Sequence, residues 1–165
     1  MVRSLQKALR MRTLALLVSL ACLAVLVPAC ASDSSSNQDE DLLAHRMLWS
    51  RPGRYAYAFT WQQSCFCPTE MTRPIRITVE TGQIKTAVYA DDQVPVSASV
   101  MTSLLTIEGV FDLIQSAIDR HAAQIDVQYD TIGFPKSVFI DISTRIADEE
   151  RSIAISDVQL GGAVD

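Results

Sequence analysis

The residues best suited to side-chain chemistry are Cys65 and Cys67, with only Phe66 between them. Positions i and i+2 of a strand point to the same side, so the two thiols are neighbours. An extended backbone holds their Cβ atoms too far apart for an unstrained disulfide. Pro68, directly after Cys67, is consistent with a turn that brings them together. Three chemistries fit the pair. A local structural disulfide is the expected state of nearby thiols in an oxidising compartment. A redox-active pair is the second, because a strained small ring is easily reduced. A soft-metal site is the third, and His45, His121 and methionines such as Met71 are the other ligands on offer. No C-x-x-C motif accompanies the pair, so no metal set and no cofactor is assigned.

A third cysteine, Cys30, closes the segment Val27-Pro28-Ala29-Cys30. Arg3, Lys7, Arg10 and Arg12 precede it in a basic start without acidic residues, and the apolar run 13–27 follows them. This is the layout of a secretory signal peptide. The run is shorter than the ~20 apolar residues of a membrane span. Ala29-Cys30-Ala31 suits ordinary signal cleavage, whereas Val27, Ala29 and Cys30 resemble a bacterial lipobox, with Pro28 and Val27 the less usual fillers. Cys22 is a weaker alternative inside the apolar run. The favoured reading is cleavage before Cys30 and acylation of that residue. Two or more acyl chains give stable anchoring where one is marginal.

The expected organisation is a signal peptide at 1–29, a lipidated Cys30 with a flexible tether at 30–41, a single folded domain at 42–160 and a tail at 161–165. The tether carries no aromatic and no aliphatic residue larger than alanine, so it has nothing to bury. All 19 acidic residues lie after the signal, against ten basic ones, which leaves the mature chain at a net charge of −9. That balance argues against nucleic acid as a partner. The expected location is the cell envelope: the outer membrane of a two-membrane cell, or the outer side of a single membrane. The expected partners are the membrane itself and an envelope protein or small ligand.

The elements that must position the cysteines follow from periodicity. The segment 41–49 reads as a short helix capped by Asp41 and stopped by Arg51-Pro52-Gly53. Tyr55, Tyr57, Phe59 and Trp61 alternate along a first strand. Ile75, Ile77 and Val79 mark a second strand, Thr81-Gly82 a tight turn, and Ile84, Thr86 and Val88 a third. The stretch 91–103 is a polar connection. Thr106 caps the clearest helix, with Ile107, Val110, Phe111, Ile114 and Ile118 on one side. Three more strands follow around Ile125 and Val127, Val138 and Ile140, and Ile153 and Ile155. Short links force antiparallel neighbours. The predicted fold is α+β: one antiparallel sheet with two helices on one face, read as a helix-three-strand unit repeated twice.

Other clusters have plainer readings. Asp148-Glu149-Glu150, flanked by Asp130 and Asp141, lacks the spacing and glycine of a calcium loop and reads as a solvated hairpin tip. The aromatic row reads as core rather than as a ligand platform. With two histidines and no G-x-S-x-G, H-E-x-x-H or phosphate loop, no enzymatic activity is expected.

The order of short motifs along 49–158 resembles a family of secreted bacterial lipoproteins with a domain of unknown function. The residues that carry the resemblance are Trp49; Tyr55 and Tyr57; Cys65 and Cys67; Phe111, Asp112 and Ile114; Tyr129 and Asp130; Gly133, Phe134 and Pro135; Ile140 and Asp141; and Asp148, Glu149 and Glu150. The resemblance implies a compartment and a domain, not an activity. Gly133 and Pro135 also suit a turn that sets the register of two strands, which requires no ligand. The sequence therefore points to a lipid-anchored, non-catalytic binding or accessory module. The alternative is a thiol-disulfide or soft-metal handling protein using Cys65 and Cys67.

Overall fold

The computed structural model describes residues 34–52, 54–146 and 148–161. The expected signal peptide, Cys30 and the tail from residue 162 lie outside them. In chain order the elements are α1 (Ser34–Trp49), β1 (Ala56–Ser64), α2 (Thr69–Thr72), β2 (Ile75–Glu80), β3 (Gln83–Tyr89), α3 (Ala98–Met101), α4 (Ile107–Asp119), β4 (Gln124–Tyr129), β5 (Pro135–Asp141) and β6 (Arg151–Leu160).

The strands form one six-stranded sheet in the order β3-β2-β1-β6-β5-β4, antiparallel throughout. This is the α+β architecture the alternation implies. Each hairpin pairs neighbours in the chain, and the long-range pairing of β1 with β6 joins the two meanders. In β1, Tyr57, Phe59, Trp61 and Gln63 are buried, and Ile75, Ile77, Val79, Val138, Ile140, Ile153 and Ile155 continue the same layer on β2, β5 and β6. Leu42 and Trp49 of α1 and the apolar stripe of α4 close over it, with Met71 of α2 and Val100 of α3 at its margin. All four helices of the described residues thus serve one core. The opposite sheet face presents Thr60, Gln62, Ser64, Ser137, Ser152 and Ser156, none of them buried. Arg76 lies across that face, donating to the Asp157 carbonyl (2.8 Å) and to Gln159 Oε1 (2.7 Å).

Local chemistry explains the boundaries. Thr106 Oγ1 accepts from Gly109 N at 3.1 Å, the expected N-cap of α4. At the other end His121 takes φ +53°. Its N–H reaches the Ile118 carbonyl, while Ala122 N reaches Ala117 O at 3.0 Å. This is the paired bonding of a left-handed helix stop. Thr81 and Gly82 both have positive φ, the two-residue turn whose twist matches a hairpin.

Helix α1 departs from expectation. It begins at Ser34 rather than at Asp41, inside the segment expected as a tether. Its polar first turns carry no hydrophobic period; tertiary hydrogen bonds hold them instead. Gln38 Nε2 donates to the Ile125 carbonyl (3.4 Å) and Asp39 accepts from Gln115 of α4 (2.9 Å). Further along, Arg46 bonds Asp112 (2.7 Å), His45 stacks on Tyr129 (3.9 Å between centroids) and Trp49 meets Phe134 edge-on. These contacts run in step, so α1 travels alongside β4 in the same direction.

Antiparallel pairing gathers the connections at two ends. The end of β1, the start of β2, the end of β3, the start of β4 and the β5–β6 loop share one end with the N-terminus of α1. This is the cysteine-loop end. The Thr81-Gly82 turn, the 130–134 turn and the segment leaving α1 share the other, the hairpin end.

Candidate functional site

Cys65 and Cys67 extend β1 past its last paired residue, Ser64, which lies opposite Ser152 of β6. There the chain folds into a three-residue turn: Cys67 N donates to the Cys65 carbonyl at 2.9 Å, and the two sulfurs are bonded. The turn supplies the geometry that an extended strand lacks. Both cysteines are half-buried, while Phe66 at the tip is 85% exposed. Ring closure over so short a loop restricts the unfolded chain little, by about 1.6 kcal/mol from the chain-entropy relation against about 3 for a 15-residue loop. Fold stability is therefore a weak reason for this bond.

One step beyond the Ser64–Ser152 pair, β6 begins with Arg151. Its guanidinium lies over the Trp61 ring, 5.9 Å from the centroid, and donates to Oε1 of buried Gln63 at 3.0 Å. No carboxylate pairs with it among the described residues, and burial lowers its pKa from the usual arginine value. Trp61 Nε1 and one carboxylate oxygen of Glu149 are also buried without a hydrogen-bond partner among the described residues. A disulfide, an exposed phenylalanine and an unpaired half-buried cation thus share the cysteine-loop end.

The other ligands considered for a soft metal have structural roles. His45 sits against Tyr129, His121 forms the stop of α4, and Met71 packs on the core. Among the described residues no three His, Cys, Asp or Glu side chains converge on a common point. The acidic cluster likewise forms no metal-holding group with its supposed flankers among the described residues. Asp130 accepts from Ile132 N (3.0 Å) in the β4–β5 turn at the hairpin end, and Asp141 accepts from Ser143 N (2.9 Å) at the opposite end of β5.

A second constellation, not visible in the sequence, occupies the hairpin end. Glu108, in the first turn of α4, accepts from Trp49 Nε1 at 2.8 Å and from the Tyr57 hydroxyl. That hydroxyl in turn accepts from Ile107 N at 3.1 Å. Burial pushes the Tyr57 phenol well above its ordinary pKa, and the hydrogen bond to Glu108 acts in the same direction. Arg54 lies over Trp49 and donates to the carbonyls of Leu48 (2.7 Å) and Ile132 (2.6 Å), tying α1 to the β4–β5 turn. Gly133 in that turn has φ +103°, and a Cβ there would lie 2.6 Å from His45 O and 2.8 Å from Trp49 N. The Gly133-Phe134-Pro135 motif is therefore a dock for α1. Beside it a cleft of ≈ 280 Å³ is lined by residues that include Ser50, Arg51, Tyr55 and Glu108. Tyr55, expected in the buried aromatic row, is 72% exposed, because it precedes β1 and turns to this cleft.

Long-range pairing hides Arg151, Gln63, Glu108 and Arg54 from sequence reading. Only Glu108 carries a signal, its place just inside a capped helix start.

Comparison with known proteins gives one match. The model of a family described as a family of unknown function (DUF6174) covers residues 41–160. No curated protein matches the chain, and no solved structure does. Among the described residues no helix is long and apolar enough to cross a membrane.

Proposed function

Since the chain belongs to the DUF6174 family, a family of unknown function, we propose a role from its own residues. It is a lipoprotein anchored to the cell envelope through Cys30, whose folded body is a non-catalytic binding or accessory module. One observation carries this reading: the basic start, apolar run and Val27-Pro28-Ala29-Cys30 sequence that lead into the domain. The bonded sulfurs of Cys65 and Cys67 support it, since disulfides persist outside the reducing cytosol.

For binding, the geometry favours the outer sheet face. Strands β1, β5 and β6 present hydroxyl and amide side chains there, and each described helix contributes to the core on the other side. Most polar side chains near the core already have structural partners. Glu108 binds Tyr57 and Trp49, and Asp112 binds Arg46. A Cys30→Ser chain tests the anchor. It is expected to leave the membrane fraction or to remain unprocessed; a processed chain that still partitions with membranes refutes the anchor. Affinity capture with the lipidated protein from intact envelopes tests the module. Recovery should be lost when bulky residues are placed at Thr60 and Ser152 on the outer face, and unchanged recovery refutes that face as the binding surface.

The cysteine loop supports a second reading, thiol-disulfide exchange, because the half-buried disulfide has exposed Phe66 at its tip and shares one end of the sheet with Arg151. Rapid reaction with glutathione, lost in step with function in a Cys65→Ser, Cys67→Ser chain, would favour it. Retained function in that chain removes its basis.

A further inference from the structure

Helix α1 begins at Ser34, and four peptide links separate Ser34 from Cys30. Fully extended, four residues reach about 14 Å. The helix is fixed to the domain by the Gln38–Ile125 and Asp39–Gln115 hydrogen bonds near its start. In place of a long free tether, a short leash leads directly to the cysteine-loop end of the sheet. That end carries exposed apolar side chains on separate loops: Phe66 between β1 and α2 (85% exposed), Ile146 between β5 and β6 (58%) and Val94 after β3 (51%).

We infer that the cysteine-loop end docks on the lipid surface, with Phe66 and Ile146 as the side chains that enter the interface. The inference rests on anchoring at Cys30. The partner is a zwitterionic bilayer surface. The loop that carries Ile146 has exposed Arg145 before it and exposed Asp148 and Glu150 after it, a net acidic balance that opposes anionic headgroups. Nearby Arg73 is engaged by Asp91 and Asp92. Arg151 is half-buried and bonded to Gln63, so the contact is chiefly apolar. One aromatic and one aliphatic side chain bind a bilayer weakly, but the anchor supplies a high local concentration. Docked in this way, the strands stand end-on to the membrane. The outer sheet face and the hairpin end remain open to the surroundings.

Quenching by brominated lipid tests the orientation. Native Trp49 and Trp61 are 1% and 0% exposed, so an added surface tryptophan dominates the response. Full-length Phe66→Trp, Ile146→Trp and Tyr55→Trp chains would be expressed, purified from membranes and checked by intact mass. They would then be reconstituted in phosphatidylcholine vesicles brominated on the acyl chains. The reporters at 66 and 146 should be quenched at least about twofold more strongly than the one at 55, as expected for rings at the interface. Equal quenching at the two ends in a lipidated chain overturns the orientation alone. A chain whose mass shows no lipid overturns both the anchor and this inference.

Discussion

Replacing Gly133 by alanine should undo the docking of helix α1, and Gly82 provides the control that isolates the cause. Both glycines have left-handed φ, +103° and +76°. A side chain at either position therefore strains the backbone, at about 1–3 kcal/mol. The difference lies in the surroundings. A Cβ at Gly82 meets nothing within 4 Å, whereas at Gly133 it would lie 2.6 Å from His45 O, 2.7 Å from Leu48 Cβ and 2.8 Å from Trp49 N. Two of these are backbone atoms of a helix, which cannot rotate away as a side-chain tip can. Forcing that overlap costs about 1–3 kcal/mol more. Gly133→Ala should thus lose about 2–6 kcal/mol and Gly82→Ala about 1–3, against the 5–15 typical of a whole domain. Urea unfolding followed by tryptophan fluorescence measures both, because Trp49 lies at the damaged contact. Hydrogen exchange should show the α1 amides opening first in Gly133→Ala. Equal midpoints for the two variants, with α1 protection unchanged, would refute the role assigned to this contact.

Three other outcomes follow from the structure. The Cys65→Ser, Cys67→Ser chain should lose no more than about 1.6 kcal/mol in urea unfolding, since the loop is so short; a larger loss would make the bond structural. Glu108→Ala should cost about 1–3 kcal/mol, because it strips acceptors from the buried Trp49 and Tyr57 donors, and Glu108→Gln should cost less; equal thermal midpoints would contradict this. The Arg73 hydrogen bond holds the Asp92 carboxyl below its ordinary pKa. Its stabilisation should therefore be present at neutral pH and above the unfolded value near 4, then vanish as pH falls through the lower folded value. The melting difference between wild type and Asp92→Asn should close on that acid side, and a difference that grows there would contradict the assignment.

Legibility in the sequence followed the range of the interaction. Alternation in β1 and β2, the period of α4 and the Thr106 cap are local, and each is present as read. The pairing of β1 with β6 is not local, and only the assembled sheet shows it. The start of α1 escaped because its first turns are polar and are held by residues 76 and 87 positions away. Tyr55 continues the alternation of Tyr57, Phe59 and Trp61 but stands just outside the sheet, where the pattern no longer dictates burial. At the cysteine loop the sequence supplied the pair and the turn. Arg151, 84 positions beyond Cys67, came to the same end of the sheet only through the β1–β6 ladder.

Intact-mass spectrometry of native protein from the membrane fraction tests the central claim most directly. The account predicts a chain beginning at Cys30 that carries the mass of a diacylglycerol thioether and an added acyl group. A chain beginning at Met1, or a cleaved chain without fatty modification, would contradict it.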